Sequence, residues 1–412
     1  MGTIVIKFGG SSLSTTDKIK QAACRIADYK KKGKEVVVVV SAMGKTTDQL
    51  LQLAGEITEN PAKREMDMLL TTGEQVSISL LSMALTEMGV PAVSFTGWQA
   101  GIVTEKVHSN ARIIDVKTNH IEEKLAEGKI IVAAGFQGVT EDGEITTLGR
   151  GGSDTTAVAL AAAIGAERCL ICTDVTGVFT SDPRYVPKAR KLPSISYDEM
   201  LELANLGAGV LHPRAVEFAK NHQVSLEVRS STENEDGTVI EEEVSMEKNL
   251  VVRGVAFEKD ITRLTVFGLK NELTGLSSIF SVLAENQIDV DIIIQSQTDG
   301  NKTNLSFSIK NKDRQAAVNV LESQKETIGF ENIECEAGLA KVSIVGSGMV
   351  SNPGVAAQMF QVLADENIQI KMVSTSEIKV SAVIAGDNMI SAAQILHDTF
   401  NLGTVVEKEK IQ

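Results

Sequence analysis

Lys7-Phe8-Gly9-Gly10-Ser11-Ser12 follows directly on a β-branched run, Thr3-Ile4-Val5-Ile6. Glycine reaches backbone angles closed to other residues, so a glycine pair after a strand can turn amide N–H groups toward one point. Ser11 and Ser12 add hydroxyls, a following helix would add its positive end, and Lys7 adds a full charge. This set suits a polyphosphate cradle, although a plain strand–turn–helix corner uses the same glycines. A second cluster, Arg150-Gly151-Gly152-Ser153-Asp154-Thr155-Thr156, opens an expected helix. Its arginine can grip a carboxylate with two parallel hydrogen bonds. The backbone amides and Ser153 can complete the anion pocket. Asp154 would repel an anion there unless it orients Lys7 or another cation.

Thr71-Thr72-Gly73-Glu74 opens another helix, with either threonine as a cap. Glu74 suits the helix dipole, or it receives a cationic group such as a substrate ammonium. Thr173-Asp174 ends a strand, and a carboxylate there suits a magnesium ion held directly or through water. Asp182-Pro183-Arg184 is a turn in which Arg184 can meet phosphate. His212 before Pro213 reads as a structural helix start. The remaining histidines lack metal-ligand spacing, and no hydrolase triad is suggested. These parts support phosphoryl transfer, which needs charge neutralisation, magnesium and alignment more than a nucleophilic side chain. A carboxylate acceptor needs no general base, being ionised at neutral pH. Neither GxxxxGK[ST] nor the protein-kinase HRD and DFG set is present.

The chain has 412 residues, 43% of them hydrophobic and 23% charged, and a net charge of −14. This is a globular balance sufficient for two or three domains. The acidic excess argues against a broad nucleic-acid-binding surface. The N-terminus enters a strand without a signal peptide, and Ile6 breaks the faint myristoylation pattern of Met1-Gly2. No apolar run approaches the ~20 residues of a membrane span. Four cysteines in a chain this long suggest a cytoplasmic protein without disulfides. Cys169 and Cys172 lie three apart on an expected strand and so point to opposite faces, which makes them core residues.

Expected strands at Glu35 to Val40, Lys129 to Ala134 and Cys169 to Thr173 alternate with helices at Ser77 to Glu87 and Thr155 to Ile164. Continuous apolar strands between helices predict a mostly parallel α/β sheet covered on both faces. Ligands bind beyond the carboxyl ends of such strands, where Gly9-Gly10, Ser41, Gly135 and Thr173-Asp174 fall. Residues 231–249 turn polar and acidic. They read as a solvated connection with at most a short edge strand. Beyond them an internal repeat begins. Leu264 to Gly268 matches Val342 to Gly346, Phe280 to Ala284 matches Phe360 to Ala364, and Ile288 to Ile292 matches Ile368 to Met372. Each unit reads βαββα, and a closing strand (Ile333 to Glu336, Val405 to Glu407) makes it ferredoxin-like βαββαβ. Neither unit carries a catalytic cluster, so binding or regulation is expected of both.

Val5 to Leu13, Thr72-Gly-Glu74, Leu148 to Asp154, Thr173 to Val178 and Asp182-Pro-Arg184 together resemble the aspartokinase signatures, in the family's order and across the whole chain. The repeats resemble its tandem ACT domains. The resemblance implies an amino-acid-kinase domain at 1–245 and ACT domains at 246–337 and 338–412, with strand exchange between the ACT units left open. It implies ATP-dependent phosphorylation of the L-aspartate β-carboxylate, the first step toward lysine, threonine and methionine. By this resemblance Lys7, Gly9, Gly10 and Ser11 hold the ATP phosphates, and Ser41 assists. Thr47, Glu74, Arg150, Gly151, Gly152 and Ser153 bind aspartate, with Glu74 on its ammonium and Arg150 on its α-carboxylate. Asp154 orients Lys7. Thr173, Asp174, Phe179, Thr180, Asp182, Pro183 and Arg184 hold nucleotide and Mg2+. Lysine, threonine or both would bind, as feedback inhibitors, at Asn271, Thr274, Gly275, Leu276, Ile292, Ile293, Ile294, Gln295, Ser374, Thr375 and Ser376.

Two departures from the family pattern stand out. Gly209 replaces a common lysine, and Asn271-Glu-Leu-Thr274 replaces Asp-x-Pro-Gly in the first repeat. A homo-oligomer through the ACT domains is expected, and an internal start near Met246, which would yield a separate small regulatory subunit, is left open. The alternatives are another amino-acid or carbamate kinase on the same sheet, or a catalytically silent amino-acid sensor. ADP release with and without L-aspartate separates them.

Overall fold

The computed structural model describes residues 2–207, 209–242, 251–270, 275–298 and 302–404. They fall into two compact units. The first is Met1–Val178, Lys191–Asn205 and Gly209–Glu247, and the second is Phe179–Arg190, Leu206–Ala208 and Lys248–Gln412.

The first unit begins with β1 (Thr3–Phe8), α1 (Thr16–Lys31), β2 (Glu35–Val40), α2 (Thr46–Ile57), α3 (Lys63–Leu70) and α4 (Thr72–Glu87). It continues with β3 (Ala92–Phe95), β4 (Ile102–Thr104), β5 (Ile113–Val116), α5 (Asn119–Ala126), β6 (Ile130–Ala134), β7 (Gln137–Val139) and β8 (Ile145–Thr147). Then follow α6 (Gly152–Ala163), β9 (Arg168–Thr173), β10 (Ser194–Ser196), α7 (Tyr197–Asn205), α8 (Pro213–His222), β11 (Leu226–Ser230) and β12 (Thr238–Glu241).

The main sheet runs β10-β12-β11-β9-β1-β2-β6-β3. All its pairings are parallel except β11 with β12. The run Val36 to Val40 is wholly buried because α1 and α4 cover one face and the alanine-rich α6 is buried almost throughout. Each such valine contributes about 1.5–3 kcal/mol by leaving water. Because β1 lies between β2 and β9, the chain crosses over there, and the carboxyl ends of three strands face one opening. A smaller sheet, β5-β4-β7-β8, carries the segment that leads into Arg150.

Several expectations change in this unit. β12 is no edge strand: it pairs with both β10 and β11. The helix expected from Ser77 starts at Thr72, and α3 runs almost into it. The stretch Lys63–Glu87 is therefore long and apolar enough to cross a membrane by length and composition. It nonetheless buries Asp67 and Glu74 and packs on α1, β3 and β6, as a core helix does. Neither Thr71 nor Thr72 caps α4. Their hydroxyls donate back to the Met68 and Leu69 carbonyls of α3. Cys169 and Cys172 are free and buried within β9, where burial pushes the Cys172 thiol up to about 11.

The second unit contains β13 (Gly254–Lys270), α9 (Gly275–Glu285), β14 (Ile293–Thr298), β15 (Lys302–Lys310), α10 (Arg314–Ser323) and α11 (Lys325–Ile328). β16 (Asn332–Val345), α12 (Val355–Asp365), β17 (Met372–Thr375), β18 (Lys379–Ala385) and α13 (Met389–Thr399) complete it. The repeats share one antiparallel sheet, β14-β15-β13-β16-β18-β17. β13 and β16 are long enough to serve both halves. Arg263 to Phe267 pairs with Glu336 to Asn332, while Gly254 to Glu258 pairs with Val345 to Lys341. The closing position expected of Val405 to Glu407, which lie outside the described residues, is thus filled by the start of β13. Val252 and Val255 accordingly sit in the second repeat's core with Met359, Leu363 and Leu396.

Reciprocal ion pairs pin this register: Lys341 with Glu258 at 3.0 Å, and Arg263 with Glu336 at 2.7 Å. The second strand of the first repeat starts at Ile293 rather than Ile288. Ile288 and Ile292 are spent on core contacts instead. The segment 179–190 belongs to this unit, with Val186 in the second repeat's core.

Substituting Val255→Ala should cost about 2 kcal/mol, between typical Ile→Val and Leu→Ala costs. Amide exchange should accelerate in α12 and α13 and stay unchanged in α9, although Val255 precedes both repeats in sequence.

Candidate active site

The site is built at the carboxyl end of β1. Lys7, the penultimate residue of that strand, is only 8% exposed. Its Nζ lies 2.6 Å from Asp154 Oδ1 at the start of α6. The charges touch without hydrogen-bond alignment at that oxygen, so the ammonium keeps hydrogens for another partner. Gly9 and Gly10 follow, but neither takes a left-handed backbone. What requires glycine at position 10 is space, since a Cβ there would come 2.7 Å from the Ala42 carbonyl oxygen. The expected α-helix does not follow at once. Gly10–Leu13 is a 3-10 turn, and α1 starts at Thr16 with Thr15 as its cap. Ser11 is exposed, while the buried Ser12 hydroxyl has no hydrogen-bond partner.

The turn after β2 joins the remaining parts. Ser41 Oγ donates to Ser153 Oγ at 2.9 Å. The Ala42 amide donates to Glu74 Oε1 at 3.1 Å, and the Gly44 amide donates to the Gly10 carbonyl at 3.0 Å. One tight turn therefore touches the glycine loop, the start of α6 and the start of α4. Thr47, half-buried, sits in the first turn of α2 just beyond. Glu74 is 3% exposed and its Oε2 has no partner. Burial pushes this carboxyl up to about 7, against hydrogen bonds from its own and the Ala42 amides and the nearby Gln137 side chain, whose Nε2 donates to the Thr71 carbonyl. An unpartnered buried oxygen of this kind is costly unless a donor arrives.

Arg150 is exposed beside this cluster, and Gly151 behind it holds φ at +69°. A side chain at Gly151 would also overlap His212. His212 itself caps α8, its Nδ1 accepting from the Arg214 amide. Gly152 is buried as the first residue of α6. Thr173 Oγ1 donates to Asp174 Oδ1 at 3.0 Å, leaving Asp174 exposed at the end of β9. Among the described residues no group of three His, Cys, Asp or Glu could hold a metal. A single carboxylate nevertheless fits magnesium that takes its other oxygens from phosphate and water. Gly209, where the family pattern has lysine, holds φ at +68°.

The 179–184 loop belongs to the second unit. Phe179 is half-buried and Pro183 exposed. Thr180, expected at the nucleotide, is instead fully buried, with its hydroxyl 2.9 Å from His397 Nε2 and accepting from the Arg190 amide. Arg184 holds Asp182 through Nε and Nη2, and that hydrogen bonding keeps the Asp182 carboxyl below its usual range.

Of the expected effector residues, Asn271 and Thr274 lie outside the described set. Gly275 and Leu276 open α9, with Gly275 buried. Ile292 is buried in a cluster with Ile261, Leu339, Met372 and Val383, so its side chain belongs to the core between the repeats. Ile293, Ile294 and Gln295 are exposed on β14, as are Thr375 and Ser376 near the end of β17, with Ser374 half-buried. Sequence reading missed Asp67 and Phe136. Asp67 is the one buried residue of α3, and Phe136 holds φ at +71° just past β6.

The family model for the amino acid kinase family matches residues 2–230, and that for the ACT domain matches 268–324 and 342–400. The chain is 67% identical to an aspartokinase of Bacillus sp. (strain MGA3) over 411 residues, covering 100% of both chains. It is 66% identical to aspartokinase 2 of Bacillus subtilis (strain 168), covering 98% of each. Among solved structures, E. coli aspartokinase III in complex with aspartate and ADP superposes with a TM-score of 0.81 at 26% identity. That match covers 96% of this chain and 99% of the other. The same enzyme in complex with lysine and aspartate gives 0.76 at 26% identity, covering 97% and 99%. With the glycine loop, the Lys7–Asp154 pair and both ACT repeats in place, the chain belongs to the aspartokinase family and is an aspartate kinase.

Proposed function

We propose that this chain transfers the γ-phosphoryl group of ATP to the β-carboxylate of L-aspartate, giving 4-phospho-L-aspartate and ADP. The observation that carries the reading is Glu74, a buried carboxylate with one oxygen fixed on Ala42 and the other without a partner. A substrate ammonium satisfies that oxygen. Arg150, exposed in the turn that leads into Ser153, suits the α-carboxylate. The β-carboxylate oxygen then attacks the γ-phosphorus and the bond to the bridging oxygen of ADP breaks. No proton moves, because the acceptor is already ionised. Lys7 neutralises the charge on the transferred group, and Asp154 keeps its ammonium in place. Bound magnesium, with Asp174 as its one protein carboxylate, would supply further charge neutralisation at the phosphates. The aspartate and ADP held by aspartokinase III support the substrate pair.

The same reading assigns control of lysine and threonine synthesis to the ACT repeats, with lysine or threonine as effector. The lysine complex of aspartokinase III supports the effector class. Assembly through the ACT domains and a small subunit begun at Met246 belong to this proposal. Met246 itself lies outside the described residues.

In an assay of ADP release, Lys7→Ala should lower turnover by about 100- to 1000-fold, the usual effect of losing one preorganised charge-stabilising donor, with the fold retained. Unchanged turnover would sink the role of Lys7. A silent sensor predicts no aspartate-dependent ADP release from the unsubstituted chain.

Glu74 gives a pH dependence. Only its ionised form receives an ammonium, so kcat/KM for aspartate should rise as pH climbs through about 7, and Glu74→Gln should abolish the inflection. The folded pKa is raised above the ordinary carboxylate value, so the native state binds more protons than the unfolded chain between those values. Glu74's contribution to ligand-free stability is complete below the ordinary value and is lost as pH rises through about 7. Aspartate should accordingly raise the unfolding temperature more at pH 8 than at pH 5.5. Added lysine or threonine should inhibit the reaction, and indifference to both would remove the feedback assignment.

A further inference from the structure

Arg150 can act on a substrate carboxylate only if the turn that carries it is held still. That turn has two left-handed glycines, Gly149 at φ +75° and Gly151 at +69°, and glycine is the least restrained residue there is. Its stiffness must come from outside. Thr147, the last residue of β8, donates its hydroxyl to Asp67 Oδ1 at 2.6 Å. Asp67 is 0% exposed. Its carboxylate also accepts the Ser109 amide on both oxygens, at 3.1 and 3.0 Å, and the His108 Nδ1–H at 2.9 Å on Oδ2. Ser109 holds φ at +72°, a conformation that costs a non-glycine residue of order 1–3 kcal/mol.

The strained 108–111 loop is in turn laid against the Arg150 turn. The Ala111 amide donates to the Thr147 carbonyl at 2.9 Å. Asn110 crowds Gly149, where a Cβ would come within 2.7 Å of its Oδ1. From the other side Arg214 donates to the Leu148 and Ala111 carbonyls at 2.8 and 2.6 Å. None of these contacts serves the main sheet. Asp67, Ala111 and Arg214 each bond to Thr147 or Leu148, and Asn110 packs on Gly149.

We infer that Asp67 is a positioning residue for aspartate. Through the Thr147 hydroxyl, the His108 ring and the Ser109 backbone amide it holds the 147–151 turn so that Arg150 meets the substrate's α-carboxylate. This rests on the assignment of Arg150 given above. The carboxylate does not touch substrate; it sets the geometry of the residue that does.

The test is steady-state ADP release from the full chain, titrating aspartate and ATP separately, with thermal unfolding of each variant. Asp67→Asn keeps the shape and removes the charge. Thr147→Val removes one hydrogen bond at constant shape, and Thr147→Ser restores it. Asp67→Asn should raise KM for aspartate at least about 10-fold, the scale expected of a small misplacement, with KM for ATP and kcat within about twofold. Thr147→Val should shift the same constant in the same direction, and Thr147→Ser should return it. In an Arg150→Ala background Asp67→Asn should change kcat/KM for aspartate no further, because the two act as one unit. If Asp67→Asn lowers kcat in proportion to lost folded protein at unchanged KM, its role is structural and the inference fails. A full additional loss in the Arg150→Ala background also overturns it. If Arg150→Ala alone leaves KM for aspartate unchanged, the assignment of Arg150 fails instead.

Discussion

The contact between Lys7 and Asp154 sets the terms for everything around it. Both side chains are about nine-tenths withdrawn from water, at 10% and 11% exposure. Two charges in that position cost several kcal/mol each in lost hydration, and losing one leaves the other uncompensated. The pair is therefore poor value for stability. It ties the end of β1 to the start of α6, two elements far apart in sequence, at the point where an anion needs a fixed positive charge. The apolar strands on either side, β2 and β9, keep water and its screening away from it.

Around that pair the backbone comes very close to itself. Gly10 lies under the Ala42 carbonyl, and Gly151 lies against His212. The approach at Gly10 lets one turn, Ser41 to Gly44, make hydrogen bonds to three separate elements. Glu74 is the part left unfinished: one oxygen is fixed and the other is buried without an aligned hydrogen bond. An unfilled acceptor in a rigid surround favours a ligand that brings a donor, and it discriminates against one that lacks it.

The second unit solves a different problem. Each repeat is too small to close its own sheet, and each lends the other half of a long strand. β13 and β16 are paired along both halves, with Lys341–Glu258 and Arg263–Glu336 repeating the same pairing on either side. Burial alone would depress the Lys341 ammonium, but the hydrogen bond and charge of Asp291, with Glu258, raise it above its usual value. Because a strand slip of one residue would invert every side chain, such charge pairs help to hold the register. Neither repeat can move its central strand without moving the other's.

Much of this was legible in the sequence because it rests on local rules. A run such as Val36 to Val40 can only be a strand buried on both faces. The repeat in the second half shows itself by self-similarity, and Lys7, Glu74, Arg150 and Asp154 stand out because charged residues sit beside glycines at strand and helix ends. The tertiary structure decided what depends on partners distant in the chain. Sequence assigned Thr180 to a nucleotide, but packing against His397 buries its hydroxyl. Ile292 looked available to an effector, but Leu339 and Met372 enclose it. The closing strand of the second repeat comes from residues that precede the first, which no local pattern can show. Asp67 reads as one more acid on a short helix until Thr147, His108 and Ser109, 41 to 80 residues away, converge on it. Sequence specifies which side chains want burial or charge. Which of them meet is settled only when the sheet brings their strand ends together.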